Sequence, residues 1–285
     1  MTLKEALTRS REVLLAGGVD WASLESEVLL RHVLGLGRVE LYLEHDCELA
    51  PEPAARFWRL VGRRRRGEPT AYITGHREFY GRDFGVDRRV LIPRPESELL
   101  VEKALDLARR HRLSTIAEIG TGCGAIAISL ACELPGAVVY ATDISVPALE
   151  VASVNLKKHG VGDRVRLLPG DMLDPLPEAC DIVIANLPYV DNGELSRLAE
   201  YEPRLALDGG PAGLEKIFRF CRRVGDKLKV GGHVLLEIGQ GQGEAVIGLL
   251  STLYPLAAVA LTPDLAGIER VVSLSLAAPC GCPAS

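Results

Sequence analysis

The stretch Ile182-Val183-Ile184-Ala185-Asn186-Leu187-Pro188-Tyr189 carries an apolar run that stops on an Asn, a Pro and an aromatic ring. It reads as a buried strand ending in a rigid polar loop. In an open α/β sheet, ligands sit in the crevice outside the carboxyl ends of the strands. Upstream, Glu118-Ile119-Gly120-Thr121-Gly122-Cys123-Gly124 closes another apolar stretch and opens a helical one. Glycines there let the backbone turn tightly and let a ligand approach without a Cβ in the way. The spacing Gly-x-Gly-x-Gly lacks the later glycine of the dinucleotide fingerprint. Asp143 ends the next strand, where a carboxylate accepts both hydroxyls of a ribose. Gly170-Asp171-Met172, after the third strand, offers a polar edge and an apolar face for an adenine ring. Any one of these is an ordinary surface turn. In order, at successive strand ends, they point to a nucleoside-containing ligand. The Asn186 loop then reads as presenting a substrate's amide or amine nitrogen to a methyl donor.

Such residues need a sheet to hold them. From Ser114 onward, apolar strands alternate with amphipathic helices, which predicts a doubly wound parallel sheet. The expected strands are Thr115–Ile119, Val138–Thr142, Val165–Leu168, Ile182–Ala185, His233–Ile238, Ala257–Leu261 and Arg270–Leu276. Pro93 and Pro95 pin an extended stretch before a helix from about Glu96 to Arg110. Before it, Phe79, Tyr80, Phe84 and Val86 are interleaved with Gly81, Asp83 and Gly85, the pattern of a β-hairpin. Residues 1 to 74 read as helical. Thr2 with Glu5 fits a capping box, Ser23 caps a second helix closed by Gly35, and Pro53 to Arg66 forms a further helix ended by Gly67 and Pro69. The expected organisation is an N-terminal helical domain over 1–74, a hairpin linker over 75–92, the α/β domain over 93–278 and a flexible tail over 279–285.

Hydrophobic content of 47% and charged content of 25% are ordinary for a soluble globular protein. The net charge of −5 argues against binding nucleic acid mainly through its phosphates. Residues 1–75 carry as many basic as acidic side chains, so the whole excess of negative charge lies beyond them. That balance suits a substrate-docking module and equally a structural cap. Arg63-Arg64-Arg65-Arg66 is the one obvious basic run. It fits a solvated helix end, where cations suit the dipole, or a contact with RNA or an acidic partner. Seven cysteines, with no zinc spacing among them, read as reduced thiols of a cytoplasmic protein. Cys280 and Cys282 fall in the expected tail. Neither a signal peptide nor a transmembrane segment is expected.

Asn186-Leu187-Pro188-Tyr189 resembles the Asn-Pro-Pro-Tyr motif of class I methyltransferases that modify planar amide or amine nitrogens, with Leu187 where a first proline is usual. Leu91–Glu98, Glu118–Ile126, Tyr201–Leu207 and Glu237–Gly243 extend the resemblance, over nearly the whole chain, to the release factor glutamine methyltransferase family. The resemblance implies a Rossmann-like, seven-stranded class I fold behind a small helical domain. It implies S-adenosyl-L-methionine as donor and S-adenosyl-L-homocysteine as product. The implied acceptor is the side-chain amide (N5) of the glutamine in the Gly-Gly-Gln motif of class I peptide chain release factors. By the same resemblance, Gly120, Thr121, Gly122, Cys123 and Gly124 embrace the methionine part of the donor, Asp143 its ribose and Met172 its adenine. Asn186 then touches both donor and acceptor. Its side-chain oxygen and the main-chain carbonyl of Leu187 accept the hydrogens of the target amide, while Pro188 and Tyr189 stiffen the loop and pack on the flat substrate group. Relatives commonly hold an aromatic at the place of Met172, and a thioether also packs on a ring. No general base or metal is required by this reading, and no DNA, no membrane and no second copy of the chain.

An adenine-N6 methyltransferase of DNA or RNA presents similar acceptor geometry, but on a duplex it needs base flipping and a basic groove. A nucleotide-binding regulator without catalysis would keep the glycine turn and Asp143 and have no need of the Asn186 loop.

Overall fold

The computed structural model describes residues 1–193, 195 and 200–277. The expected tail, with Cys280 and Cys282, lies outside the described residues. Two compact units divide the chain, Met1–His76 and Arg77–Ser285.

The first unit is helical: α1 (Leu3–Ala16), α2 (Ala22–Leu34), α3 (Arg38–Leu43), α4 (Pro51–Arg65) and α5 (Thr70–Thr74). The Thr2–Glu5 capping box is present, each side chain bonding the other's backbone N–H. Gly35 ends α2 in the left-handed conformation. Ser23 is not the cap expected of it. The first helical bond runs from the Glu25 N–H to the Trp21 carbonyl, so α2 starts earlier and Ser23 lies within its first turn. Leu3, Ala6, Leu14, Leu29, Leu30, Phe57 and Val61 form the core of this unit. In the basic run, Arg63 makes a bidentate pair with Glu68 and Arg64 one with Glu25. These two arginines are spent on holding α4 to its neighbours.

In the second unit, β1 (His76–Phe79) and β2 (Arg82–Gly85) form the hairpin. After a 3-10 turn over Pro95–Ser97 come α6 (Glu98–His111), β3 (Thr115–Ile119), α7 (Ala125–Glu133), β4 (Val138–Asp143), α8 (Val146–His159), β5 (Val165–Pro169) and β6 (Cys180–Ala185). Then follow α9 (Arg204–Leu207), α10 (Glu215–Arg223), β7 (Leu228–Glu237), α11 (Gly243–Leu253), β8 (Ala258–Pro263) and β9 (Glu269–Ser275). The sheet order is β5-β4-β3-β6-β7-β9-β8. Its five leading strands are parallel and β9 is antiparallel to both neighbours. The all-parallel expectation is thus corrected. The Asp264–Ile268 turn between β8 and β9 is too short for a crossover, and a short connection makes an antiparallel pair.

The central strands are apolar along nearly their whole length because helices cover both faces. Ala117, Ile119, Val183, Ala185, Val234 and Leu236 point to one face, against Ile217, Phe220, Val246 and Leu250 of α10 and α11. The other face is covered by α6, with α7 packed beside it and α8 beside α7.

Three side chains of α8 hold the hairpin: Lys158 pairs with the Asp83 carboxylate, His159 meets the Asp83 carbonyl, and Asn155 reaches Gly85. Asn155 Oδ1 accepts from the Gly85 N–H at 2.8 Å, and its Nδ2 donates to the carbonyls of Gly85 and Cys123 at 3.0 and 2.9 Å. Cys123 belongs to the glycine turn, so this buried amide joins hairpin, helix and turn. Asn155→Ala leaves three backbone groups without that partner, and we expect a loss of about 2–3 kcal/mol in urea-induced unfolding.

Candidate active site

Strand order decides what meets at the carboxyl edge of the sheet. Ile119 of β3 pairs with Thr142 of β4 on one side and with Ala185 of β6 on the other. Gly120, Asp143 and Asn186, each the next residue or nearly so, therefore emerge side by side. This is the switch point of the sheet, with β4 and β5 running off one way and β6 and β7 the other. A cleft opens there, lined among others by Gly120, Gly122, Asp143, Met172, Asn186, Leu187 and Pro188.

The glycine turn is built for close approach. Gly120 and Gly122 have φ of +76° and +55°, in the left-handed region that favours glycine. A Cβ at Gly122 would point into open space, and one at Gly120 would sit 3.6 Å from the Asn186 carbonyl oxygen. The Gly120 and Thr121 N–H groups both donate to the Thr142 carbonyl at 2.9 Å. Asp143 Oδ2 accepts from the Gly122 N–H and Oδ1 from the Ser145 N–H, each at 2.8 Å. The Ile144 N–H also bonds this carboxylate, which lines the cleft. Burial raises the Asp143 pKa, against the pull of these backbone N–H groups. Met172 lies on the cleft wall with φ of +49°, its carbonyl accepting from Thr142 Oγ1. Asp171 beside it is ion-paired with Arg219. The apolar wall, the open approach at Gly120 and Gly122 and the carboxylate beside them suit an adenosyl group carrying a small zwitterion.

Three residues of the turn face away from the cleft. Thr121 Oγ1 donates to Glu118 Oε2 at 2.6 Å. Cys123 is buried, and burial pushes its thiol up to about 12. A Cβ at Gly124 would come 3.0 Å from Ile128 Cδ1. They shape the turn from behind.

Glu118 Oε2 also accepts from the Ala127 N–H at 3.0 Å, tying the turn to α7. Burial raises the Glu118 pKa to about 8, so the folded chain holds a proton there that the unfolded chain gives up near 4.5. The stability this proton linkage contributes is present at low pH and lost as pH rises through about 8. Glu118→Gln keeps an oxygen for both bonds and removes the titration. We expect the Tm of the wild type to fall relative to E118Q as pH is raised across that window, read by calorimetry; parallel curves would exclude the linkage.

Opposite the turn, the Asn186 loop is held from behind. Asn186 Nδ2 donates to Ser97 Oγ at 2.9 Å, and Ser97 Oγ donates to Glu237 Oε2 at 2.6 Å. The Tyr189 hydroxyl reaches Glu237 Oε1 at 3.4 Å, and the Tyr189 carbonyl accepts from Gln242 Nε2 at 3.2 Å. The Leu187 side chain is buried in the core of the sheet. Ser97, Glu237 and Gln242 sit in motifs visible in the sequence, but nothing in their spacing assigns them to this loop. Among the described residues, no group of three or more His, Cys, Asp or Glu could hold a metal ion.

Comparison with known proteins agrees with this architecture. Residues 5–75 match the PrmC N-terminal domain and residues 95–201 the methyltransferase small domain. The chain is 45% identical over 274 residues to the release factor glutamine methyltransferase of Moorella thermoacetica, covering 95% of this chain and 97% of the relative. This chain belongs to the release factor glutamine methyltransferase family. Another member, from Geobacter sulfurreducens, is 40% identical over 95% of each chain. Among solved structures, a methyltransferase from Pyrococcus furiosus aligns with a TM-score of 0.50 at 18% identity, covering 69% of this chain and 89% of that one. The N-terminal domain of human METTL16, solved in complex with S-adenosyl-L-homocysteine, aligns with a TM-score of 0.50 at 17% identity, covering 68% and 75%. Both share the class I methyltransferase fold, and the enzyme family uses S-adenosyl-L-methionine. No helix among the described residues is long and apolar enough to cross a membrane.

Proposed function

We propose that this chain transfers the methyl group of S-adenosyl-L-methionine to the side-chain amide nitrogen of the glutamine in the Gly-Gly-Gln motif of peptide chain release factors. The observation that carries the reading is the register of β3 and β6, which sets Asn186 beside the glycine turn and Asp143 in a single cleft. Methyl transfer needs donor and acceptor atoms in contact and in line, and that juxtaposition is what a strand-end loop beside a ligand turn provides.

Bound S-adenosyl-L-methionine supplies a methyl carbon activated by the adjoining sulfonium. Gly120 and Gly122 leave room for its methionine part, with Thr121, Cys123 and Gly124 shaping the turn. Asp143 accepts its ribose hydroxyls and Met172 packs on its adenine. Asn186 and the main-chain carbonyl of Leu187 accept the N–H groups of the target carboxamide. A carboxamide nitrogen is a poor nucleophile because its lone pair is delocalised; two acceptors on its hydrogens return density to nitrogen and hold it for attack. Pro188 and Tyr189 stiffen this clamp and support the flat amide. Holding the reactants in geometry is the main source of rate here, worth up to about 7–11 kcal/mol in favourable systems. In this reading the enzyme works as a monomer in the cytoplasm on class I release factors, without DNA.

The deciding experiment offers methyl-labelled S-adenosyl-L-methionine with a release factor, the same factor with its Gly-Gly-Gln glutamine replaced by alanine, or DNA. Label is expected in the first alone, at N5 of that glutamine. Label in DNA and none in the factor would overturn the reading.

A further inference from the structure

The Asn186 carboxamide has two chemically opposite ends, and one of them serves the proposed reaction. A target nitrogen bearing N–H bonds needs an oxygen opposite it, whereas Nδ2 would meet it donor to donor. What turns the side chain is the pair behind it. Ser97 and Glu237 are 3% and 1% exposed, so water does not compete for their bonds. A carboxylate only accepts, so the single proton of Ser97 Oγ goes to Glu237 Oε2. Ser97 is then left to accept, and it accepts from Asn186 Nδ2. That bond leaves Oδ1 as the free end of the amide at the cleft. Tertiary structure brings the three together. Ala185 of β6 pairs with Leu236 of β7, so Asn186 and Glu237 leave adjacent strands at the same level. Ser97 reaches them from the turn before α6.

We propose, on the functional reading above, that Ser97 and Glu237 are positioning residues that select the orientation of the Asn186 amide in which Oδ1 faces the acceptor nitrogen.

The direction of the relay depends on the charge of Glu237. Burial raises its pKa to about 6, opposed by the Ser97 bond, Arg270 and the Tyr189 hydroxyl, and assisted by Glu96. Arg270 is itself paired with Asp264 at 2.9 Å. Once protonated, Glu237 donates to Ser97 Oγ, whose own proton turns towards Asn186 and is best accepted by Oδ1. The amide then reverses and offers Nδ2 to the acceptor. Ionised Glu237 is the competent form, so turnover falls as pH drops through about 6.

Three measurements test this. The kcat profile of the wild type should show an acid limb with a midpoint near 6, and Glu237→Gln, whose amide does not titrate, should lack it. Ser97→Ala should lower kcat about tenfold, the value of one buried hydrogen bond. Its KM for the release factor and its donor Kd should hold, and Ser97→Thr, which restores a hydroxyl, should recover turnover. The third readout needs neither donor nor acceptor. The Asn186 side-chain NH2 resonances, identified by their loss in Asn186→Ala, should shift with the same midpoint in the wild type and stay fixed in E237Q. Static Asn186 resonances in the wild type, a surviving acid limb in E237Q, or an S97A enzyme with unchanged kcat would each overturn the relay. Titrating resonances in a protein that methylates no release factor would instead support the relay and overturn the functional reading.

Discussion

Replacing Asn186 with alanine should lower kcat for methyl transfer by about 10²–10³-fold, the range seen when one group aimed at the reacting centre is removed. The Asn186 side chain lies where the glycine turn and the β6 loop converge, and its Nδ2 is already committed to Ser97. What alanine deletes is therefore the oxygen that the proposed reading aims at the acceptor. Donor affinity should change by less than about threefold, under 1 kcal/mol, because the turn and Asp143 are untouched. An interaction that counts in the transition state and little in the ground state shows this split between kcat and binding. Single-turnover transfer from labelled donor gives the first quantity and calorimetric titration the second. A fall in donor affinity as large as the fall in rate would reassign Asn186 to donor binding alone.

Replacing Asp143 with alanine should act in the opposite sense. The two carboxylate oxygens are held by the N–H groups of Gly122 and Ser145 at 2.8 Å, which fix the carboxylate at the wall of the cleft. Two hydrogen bonds from ligand hydroxyls to a charged group contribute about 1.5–3 kcal/mol each, so donor Kd should rise by about 10²–10⁴-fold. Part of that effect is indirect, since the Gly122 N–H loses its acceptor and the turn loses a tether. At saturating donor, turnover should recover much of the difference, because Asn186 and Leu187 remain in place. A donor dissociation constant unchanged by D143A would remove the ribose from this carboxylate.

The two halves of the proposed site differ in how they could be seen beforehand. Gly120, Gly122, Asp143 and Met172 are recognisable because each lies at the end of an apolar stretch and carries a type suited to one part of a nucleoside. Their role depends on strand ends, and strand ends are local. The same locality exposed the Thr2–Glu5 cap and the Gly35 stop. It misplaced Ser23, since a helix start is settled by which carbonyl takes the first bond, and it missed the reversal of β9, since periodicity carries no strand direction. The run Arg63–Arg66 shows a related limit. Charge density is legible in a sequence, but Glu25, far from Arg64 along the chain, absorbs it only after folding.

The sequence by itself determined the class of fold, the glycine turn, the carboxylate that follows it and the Asn186 loop, because each is encoded within a few consecutive residues. Only the tertiary structure decided that β3 lies between β4 and β6, that Asn186 thereby stands beside Gly120, and that Ser97 and Glu237 lie behind it. Neighbours in a parallel sheet are joined through crossover helices that pack on its faces, so their order follows from packing across the whole unit and from no local pattern.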